Sequence, residues 1–205
     1  NSDTKVLSHL YEKFGLSILK ELNGFFSIAI YDKLKNKIFL VRDRFGIKPL
    51  YYSITKNGGG IIFSSEIKTL VKTNVINNEI NLDAISSYLS FRYPFGVGNF
   101  FKNIEKINPG EMLIFKKGKI DKRIYWKIPH IYETKNSINE NTLLEELDHI
   151  LTSVVKDHLE SDVSVGSLLS GGLDSSLVTS LMNKFQKKFN TFSASFDSDG
   201  YDENK

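Results

Sequence analysis

Val6, Leu7, Leu10, Tyr11 and Phe14 recur at helical spacing behind the start signal Asn1-Ser2-Asp3-Thr4 and ahead of a stop at Gly15. A shorter helical run follows from Leu16 to Leu22, and the period then changes. Phe25 to Asp32 and Lys37 to Arg42 are short apolar runs joined by the polar Lys33-Leu34-Lys35-Asn36, a pattern that predicts a hairpin. Apolar residues at neighbouring positions of both runs predict strands buried on both faces. A turn with Gly46 and Pro49 leads to Leu50 to Ile54, and Asn57-Gly58-Gly59-Gly60 turns the chain into Ile61 to Ser65. Four successive strands with helices on either side predict a layered α+β domain.

Ile67 to Lys72 and Leu82 to Phe91 read as helices, and Pro94 to Phe101 as a loop. Glu111 to Phe115 pairs with Ile120 to Trp126 across Lys116-Lys117-Gly118-Lys119. Residues 127–141 are polar without a period, which predicts a linker. Beyond it, Leu143, Leu144, Leu147, Ile150, Leu151, Val154, Val155 and Leu159 fall on one face of an amphipathic helix. A strand from Val163 to Leu169, a glycine turn, a helix over 174–185 and a strand from Thr191 to Phe196 then make a βαβ unit, hence a parallel sheet. Two architectures share one chain, with the boundary near residue 130.

Composition narrows the chemistry by exclusion. Lys+Arg 27 against Asp+Glu 24 leaves +3, too balanced to argue for a nucleic acid or an acidic membrane. Cysteine is absent, so disulfides and thiolate metal sites are excluded, and His9, His130, His149 and His158 lack metal spacing. No apolar run approaches a membrane span and no signal peptide is visible, so the default location is cytoplasmic. Beginning at Asn1 and ending in a polar stretch, the chain reads as a piece of a longer polypeptide.

The chemistry gathers at Ser170-Gly171-Gly172-Leu173-Asp174-Ser175-Ser176. Two glycines allow a sharp turn and a close approach of amides to a ligand, and the helix start behind them adds unpaired N–H groups and the positive end of its dipole. Such a turn suits phosphate. Asp174 suits Mg²⁺, a hard cation usually held by one or two carboxylates plus substrate phosphates. The turn lacks the lysine of a Walker loop, the spacing of a Rossmann fingerprint, and the order of a G-x-S-x-G elbow. The plainer alternative is a polar turn capping a buried helix.

Ser-Gly-Gly-Leu-Asp-Ser-Ser, preceded by Leu168-Leu169, resembles the pyrophosphate loop of the ATP pyrophosphatases, which adenylate a carboxylate or carbonyl oxygen and release pyrophosphate. Arg42-Asp43-Arg44-Phe45-Gly46-Ile47-Lys48-Pro49-Leu50-Tyr51-Tyr52 and Ser64-Ser65-Glu66-Ile67-Lys68 resemble the class II glutaminase domain of the glutamine-hydrolysing asparagine synthetases. Asn1-Ser2-Asp3-Thr4, Leu22-Asn23-Gly24-Phe25-Phe26, Asn108-Pro109-Gly110 and Tyr125-Trp126 fit the same family.

The resemblance implies an Ntn-type αββα glutaminase sandwich over residues 1–129, lacking its N-terminal part. It implies the start of an α/β parallel-sheet ATP-binding domain over 130–205. It implies an enzyme that makes asparagine from aspartate, ATP and glutamine-derived ammonia through an aspartyl-AMP intermediate, with Mg²⁺ as cofactor and a homodimer as assembly. Asp3 matches the glutamine-binding aspartate, where a helix cap is the alternative. Leu168, Ser170, Gly171, Gly172, Leu173, Asp174, Ser175, Ser176 and Ala194 match ATP-binding positions, with Asp174 as the metal ligand. At Ser195 the family more often has Gly.

Arg42 and Asp43 read by themselves as a surface ion pair at a strand end, and within the family as structural rather than catalytic. Asp197-Ser198-Asp199-Gly200 reads as an acidic turn rather than a calcium loop. The family's nucleophile is an N-terminal cysteine activated by its own amino group. With no cysteine present, the expectation is that this segment alone hydrolyses no glutamine. Two alternatives stay open: a relative that amidates another acceptor, such as a surface sugar or a β-lactam precursor, and a non-catalytic scaffold of the same fold.

Overall fold

The computed structural model describes residues 3–95, 99–129 and 139–195. Two compact units divide the chain, one over Asn1–His130 and one over Ile131–Lys205.

The first unit begins with α1 (Asp3–Phe14), running directly into a 3-10 helix at Gly15–Lys20. Gly15 takes φ +60°, the left-handed conformation that ends helices and costs glycine little. The strands are β1 (Ser27–Asp32), β2 (Lys37–Arg42), β3 (Tyr51–Ile54), β4 (Ile61–Ser64), β5 (Glu105–Lys106), β6 (Glu111–Lys116) and β7 (Lys119–Ile124). Helices α2 (Ile67–Lys72) and α3 (Leu82–Phe91) lie between β4 and β5, and the Asn81 side chain caps α3 by accepting from Ala84 N–H.

The four consecutive strands do not share one sheet. β1, β2, β6 and β7 form an antiparallel sheet in the order β1-β2-β6-β7, and a second sheet runs β4-β3-β5. Strand alternation sorts the side chains between layers. Phe39, Val41, Met112 and Ile114 face Ile18, Leu19 and the apolar side of α1, including Leu7, Leu10 and Tyr11. From the opposite face of the same strands, Leu40, Leu113 and Phe115 meet Leu50, Tyr52 and Ile107. Leu70, Ile76 and Ile104 close the far side beneath α2. The order helix, sheet, sheet, helix is the expected αββα sandwich. Leu40 and Leu113 are completely enclosed, and each contributes about 2 kcal/mol by burial.

Two expectations are corrected. β2 is buried through its C-terminal half, but β1 exposes Ala29 and Tyr31, because it is an edge strand. The last hairpin ends its second strand at Ile124 rather than Trp126 and turns on two residues, Lys117 (φ 48°) and Gly118 (φ 76°). Positive φ at both central positions gives the mirror-image turn that matches strand twist.

The sheets are also joined by polar contacts. The Tyr52 hydroxyl and the Lys122 ammonium both donate to Glu105 Oε2 at 2.6 Å, linking β3, β5 and β7. Burial, then the bond to Glu105, pushes Tyr52 up to about 12. Burial alone would raise Glu105, but the bonds from Lys122 and Tyr52 outweigh it and hold the carboxyl below its ordinary value.

The second unit contains α4 (Glu140–His158), β8 (Ser167–Leu168), α5 (Leu173–Phe185) and β9 (Thr191–Phe192). β8 and β9 pair in parallel, Ser167 with Thr191 and Leu168 with Phe192, as the βαβ pattern predicts. Both strands are shorter than expected. Of the amphipathic stripe on α4, Val155 is buried and Leu151 and Leu159 pack beside it against Leu181 and Met182, while Leu143, Leu144, Leu147, Ile150 and Val154 are exposed. At Gly166 a Cβ would come within 2.8 Å of the Asn190 oxygen and 3.0 Å of the Phe192 ring, so β8 and β9 approach too closely there for a side chain.

Asn1, Ser2, most of the expected linker, the end of the strand predicted to reach Phe196, and the turn 197–200 lie outside the described residues.

Candidate functional site

The serine-glycine turn occupies the short connection between β8 and α5. Gly171 has φ +86°, which a side chain would strain, and Gly172, extended at φ −71° and ψ 161°, is the N-cap of α5. No side chain caps this helix, so its first amides remain available.

Ser175 holds the turn together. Its hydroxyl donates to the Gly172 oxygen at 3.1 Å, accepts from Ser170 N–H at 3.3 Å, and lies 3.1 Å from Ser170 Oγ. Ser170 Oγ in turn accepts from Gly172 N–H at 3.4 Å. Asp174, in the first turn of α5, is exposed and has no ion pair among the described residues. Its position near the helix N-terminus is electrostatically favourable for a carboxylate. Leu173 and Leu168 are 84% and 79% exposed, respectively, unusual for leucines flanking a turn.

Three polar residues that sequence reading passed over support this turn. Ser167 Oγ lies 2.8 Å from Thr179 Oγ1, and the Thr179 hydroxyl donates to the Ser175 oxygen at 2.7 Å. The Ser193 hydroxyl donates to the Leu169 oxygen, fastening the segment after β9 to the start of the turn. The four-residue spacing of Ser175 and Thr179 was the visible signal, since a helical threonine commonly bonds back one turn.

An apolar cavity of about 590 Å³ opens beside the turn among α4, β8 and α5. Val155, Val178 and Met182 form apolar wall, Leu168 stands at its edge, and Asp174 and Ser175 supply polar groups. The structure thus brings Leu168, Asp174 and Ser175 together around one space. Ala194 follows β9 and does not line it. Asp174 fits Mg²⁺ by donor chemistry, as one exposed carboxylate beside a phosphate-type turn. Among the described residues no group of three or more acidic, histidine or cysteine ligands forms a protein-only cage.

In the first unit, Asp3 opens α1, and its side chain lies outside the described residues. A cavity of about 410 Å³ runs between α1 and the edge strand β1, from Thr4, the next residue, to Tyr31. Tyr11 faces this cavity and donates its hydroxyl to Asp32 Oδ2 at 2.8 Å.

The reading of Arg42 and Asp43 as a surface pair is corrected. They are 5% and 1% exposed. Arg42 donates to the main-chain oxygens of Lys48 (2.8 Å), Ile107 (2.7 Å) and Gly46. The Asp43 carboxylate accepts from the amides of Phe45 (3.2 Å), Ile47 (3.0 Å) and Lys48 (2.9 Å). Each therefore fixes the loop after β2 by itself, with its charge neutralised by peptide dipoles. The Asp43 main-chain oxygen also accepts from Gly110 N–H at 3.0 Å, bringing in the turn before β6. Burial, then the Asp43 charge, pushes Tyr125 up to about 12.

Residues 1–126 match the family pattern described as a glutamine amidotransferase domain, and residues 146–205 match that of asparagine synthase. A Methanocaldococcus jannaschii protein provisionally named asparagine synthetase [glutamine-hydrolyzing] 2 is 39% identical over 208 residues, a match covering 98% of this chain and 39% of that protein. Two Bacillus subtilis proteins are also similar. Asparagine synthetase [glutamine-hydrolyzing] 2 is 38% identical, with 86% of this chain and 25% of that protein covered. Asparagine synthetase [glutamine-hydrolyzing] 1 is 32% identical, with 99% and 31% covered. The chain thus spans about two-fifths or less of the length of these relatives. With its two patterns in this order, the chain belongs to the glutamine amidotransferase family, in the branch of the glutamine-hydrolysing asparagine synthetases.

Proposed function

We propose that the whole protein makes asparagine from aspartate, using ATP and ammonia released from glutamine. The observation that carries the reading is the preorganised turn Ser170–Ser176 at the uncapped start of α5, within a segment that matches asparagine synthase. In this reading residues 1–129 belong to the glutaminase domain and 130–205 to the ATP-binding domain.

The amides of the turn and the hydroxyls of Ser170, Ser175 and Ser176 hold the β,γ-phosphates. Charge accumulates on pyrophosphate as it leaves, and donors already aimed at that position lower the barrier without reorganising. Asp174 holds Mg²⁺, which supplies charge neutralisation on the phosphates when bound. Leu168, at the edge of the 590 Å³ cavity, contacts adenosine, with Ala194 on the neighbouring segment. The aspartate side-chain carboxylate attacks the α-phosphate, pyrophosphate leaves, and ammonia then displaces AMP from the acyl carbon. Asp3 binds the α-ammonium of glutamine, and a homodimer is the proposed assembly.

Pyrophosphate release by the full-length protein tests this. Release from Mg-ATP requires aspartate, and asparagine appears when glutamine is added. Release that ignores aspartate but follows another carboxylate replaces the acceptor. No release with any acceptor rejects the enzymatic reading.

A further inference from the structure

The fold concentrates charge that the composition conceals. The closed end of the β1–β2 hairpin carries Lys33, Lys35 and Lys37, and that of the β6–β7 hairpin carries Lys116, Lys117 and Lys119. Ile38 pairs with Phe115, so these turns lie at the same end of the sheet. The turn between β3 and β4 joins them, because a Cβ on Gly118 would sit 3.0 Å from the Gly58 oxygen, and this turn adds Lys56. Seven lysines thus converge on one end of the sandwich, opposite the end of β2 that bears Arg42.

Few negative groups answer them. Among the described residues only Lys35 of the seven has a carboxylate within 4.0 Å, Asp32 at 3.1 Å. Asp121, further along β7, is held by Arg123 at 2.7 Å. Seven lysines against Asp32 exceed the formal +3 of the whole chain.

The same rim exposes apolar groups. Leu34, between Lys33 and Lys35 at the tip of its hairpin, is 99% exposed, and Tyr31 projects from the strand below. The Lys56 amide donates to the Val75 oxygen at 2.9 Å, bringing exposed Val75 to the same edge. Clustered lysines attract anionic headgroups, while apolar tips and an aromatic ring favour the headgroup–acyl boundary. Nucleic-acid readers more often use the planar guanidinium, which these turns lack, and single-strand binders use a row of stacking rings.

We infer that this end of the first unit docks peripherally on an anionic phospholipid bilayer. The contact is electrostatic and reversible. It draws on lysine stems long enough to reach headgroups, with Leu34 entering the surface.

Flotation of the full-length protein with vesicles tests the inference. The protein floats with phosphatidylglycerol-containing vesicles at low salt, stays behind with phosphatidylcholine alone, and loses at least about tenfold in partitioning at 0.5 M salt, on the order of the screening expected there. Lys33→Glu/Lys56→Glu/Lys116→Glu/Lys119→Glu weakens partitioning at least about tenfold, since each lysine contributes about fivefold. The milder Lys→Gln set weakens it in the same direction. Circular dichroism and the unfolding midpoint confirm that both variants are folded, and Leu34→Ser reduces binding a few-fold. Absence of vesicle binding, unchanged binding by the folded variants, or tighter binding to a single-stranded RNA oligonucleotide than to vesicles each overturns the inference.

Discussion

The Tyr125 hydroxyl donates to the main-chain oxygen of Arg42 at 2.7 Å, across 83 positions of sequence. It meets the strand end at which Arg42 and Asp43 turn inward, and the Phe45 and Trp126 rings meet nearby at a tilt of 56°, with centroids 5.2 Å apart. The loop after β2, the Gly110 turn and the segment leaving β7 are therefore one hydrogen-bonded assembly. Tyr125→Phe removes a single neutral bond and costs about 1 kcal/mol in chemical denaturation.

Asp43→Ala is far more damaging, because it removes a buried carboxylate and leaves three amides of the loop after β2 without their acceptor. The expected loss is about 3 kcal/mol or more. Asp43→Asn retains one acceptor oxygen and loses less. An alanine variant as stable as the parent would show that the loop does not depend on the carboxylate.

Gly110 and Gly58 provide a matched comparison. Both have positive φ, but a Cβ at Gly110 would approach the Trp126 oxygen to 2.3 Å, whereas one at Gly58 meets nothing within 4 Å. Gly58→Ala carries only the backbone penalty of about 1 kcal/mol. Gly110→Ala costs at least about 3 kcal/mol, since the obstacle is main chain. Similar melting temperatures for the two variants would contradict the close approach.

Alkaline stability follows from Tyr52 and Tyr125. Both ionise near 10 when unfolded and near 12 when folded, so between those values the folded state retains protons that the unfolded state has lost. Stability is fully supported below about pH 10 and declines as pH rises toward 12. Glu105 acts at the other limit: its depressed value supports stability above the ordinary carboxyl range, and that support is lost as pH falls. Unfolding midpoints measured across pH check both arms, and Tyr52→Phe flattens the alkaline one.

In the full-length protein, Asp174→Ala abolishes ATP-dependent pyrophosphate release but spares glutamine hydrolysis and, being an exposed change, leaves stability within about 0.5 kcal/mol. Ser175→Ala releases the bonds that hold the turn and lowers pyrophosphate formation at least about tenfold. Equal loss of both activities in the Asp174 variant would reject the proposed division of labour.

Strand and helix positions were legible because their apolar periods are strong, as in β2, α2 and α3. The assignment of consecutive strands to separate sheets was not. It depends on β6 pairing with β2, a long-range choice that no local pattern encodes. The seven-residue turn was readable from its local sequence, and the Ser175–Thr179 spacing hinted at one support, but the contacts of Ser167 with Thr179 and of Ser193 with Leu169 depend on how β8 meets α5 and β9. Arg42 and Asp43 misled for a related reason. Adjacent opposite charges suggest each other as partners, yet the main chain supplies nearer donors and acceptors to both. The lysine rim was hidden by averaging, since net charge says nothing about where the fold places it.

Gly166 has a consequence for sequence variation. Its surroundings leave solvent access, so a substitution there would ordinarily count as a harmless surface change. Yet any side chain must displace the Asn190 oxygen or the Phe192 ring, widening the gap that sets Leu169 against Ser193. In a saturation library this position tolerates almost nothing, although its backbone is open to solvent, and its intolerance arises from spacing between strands rather than from concealment.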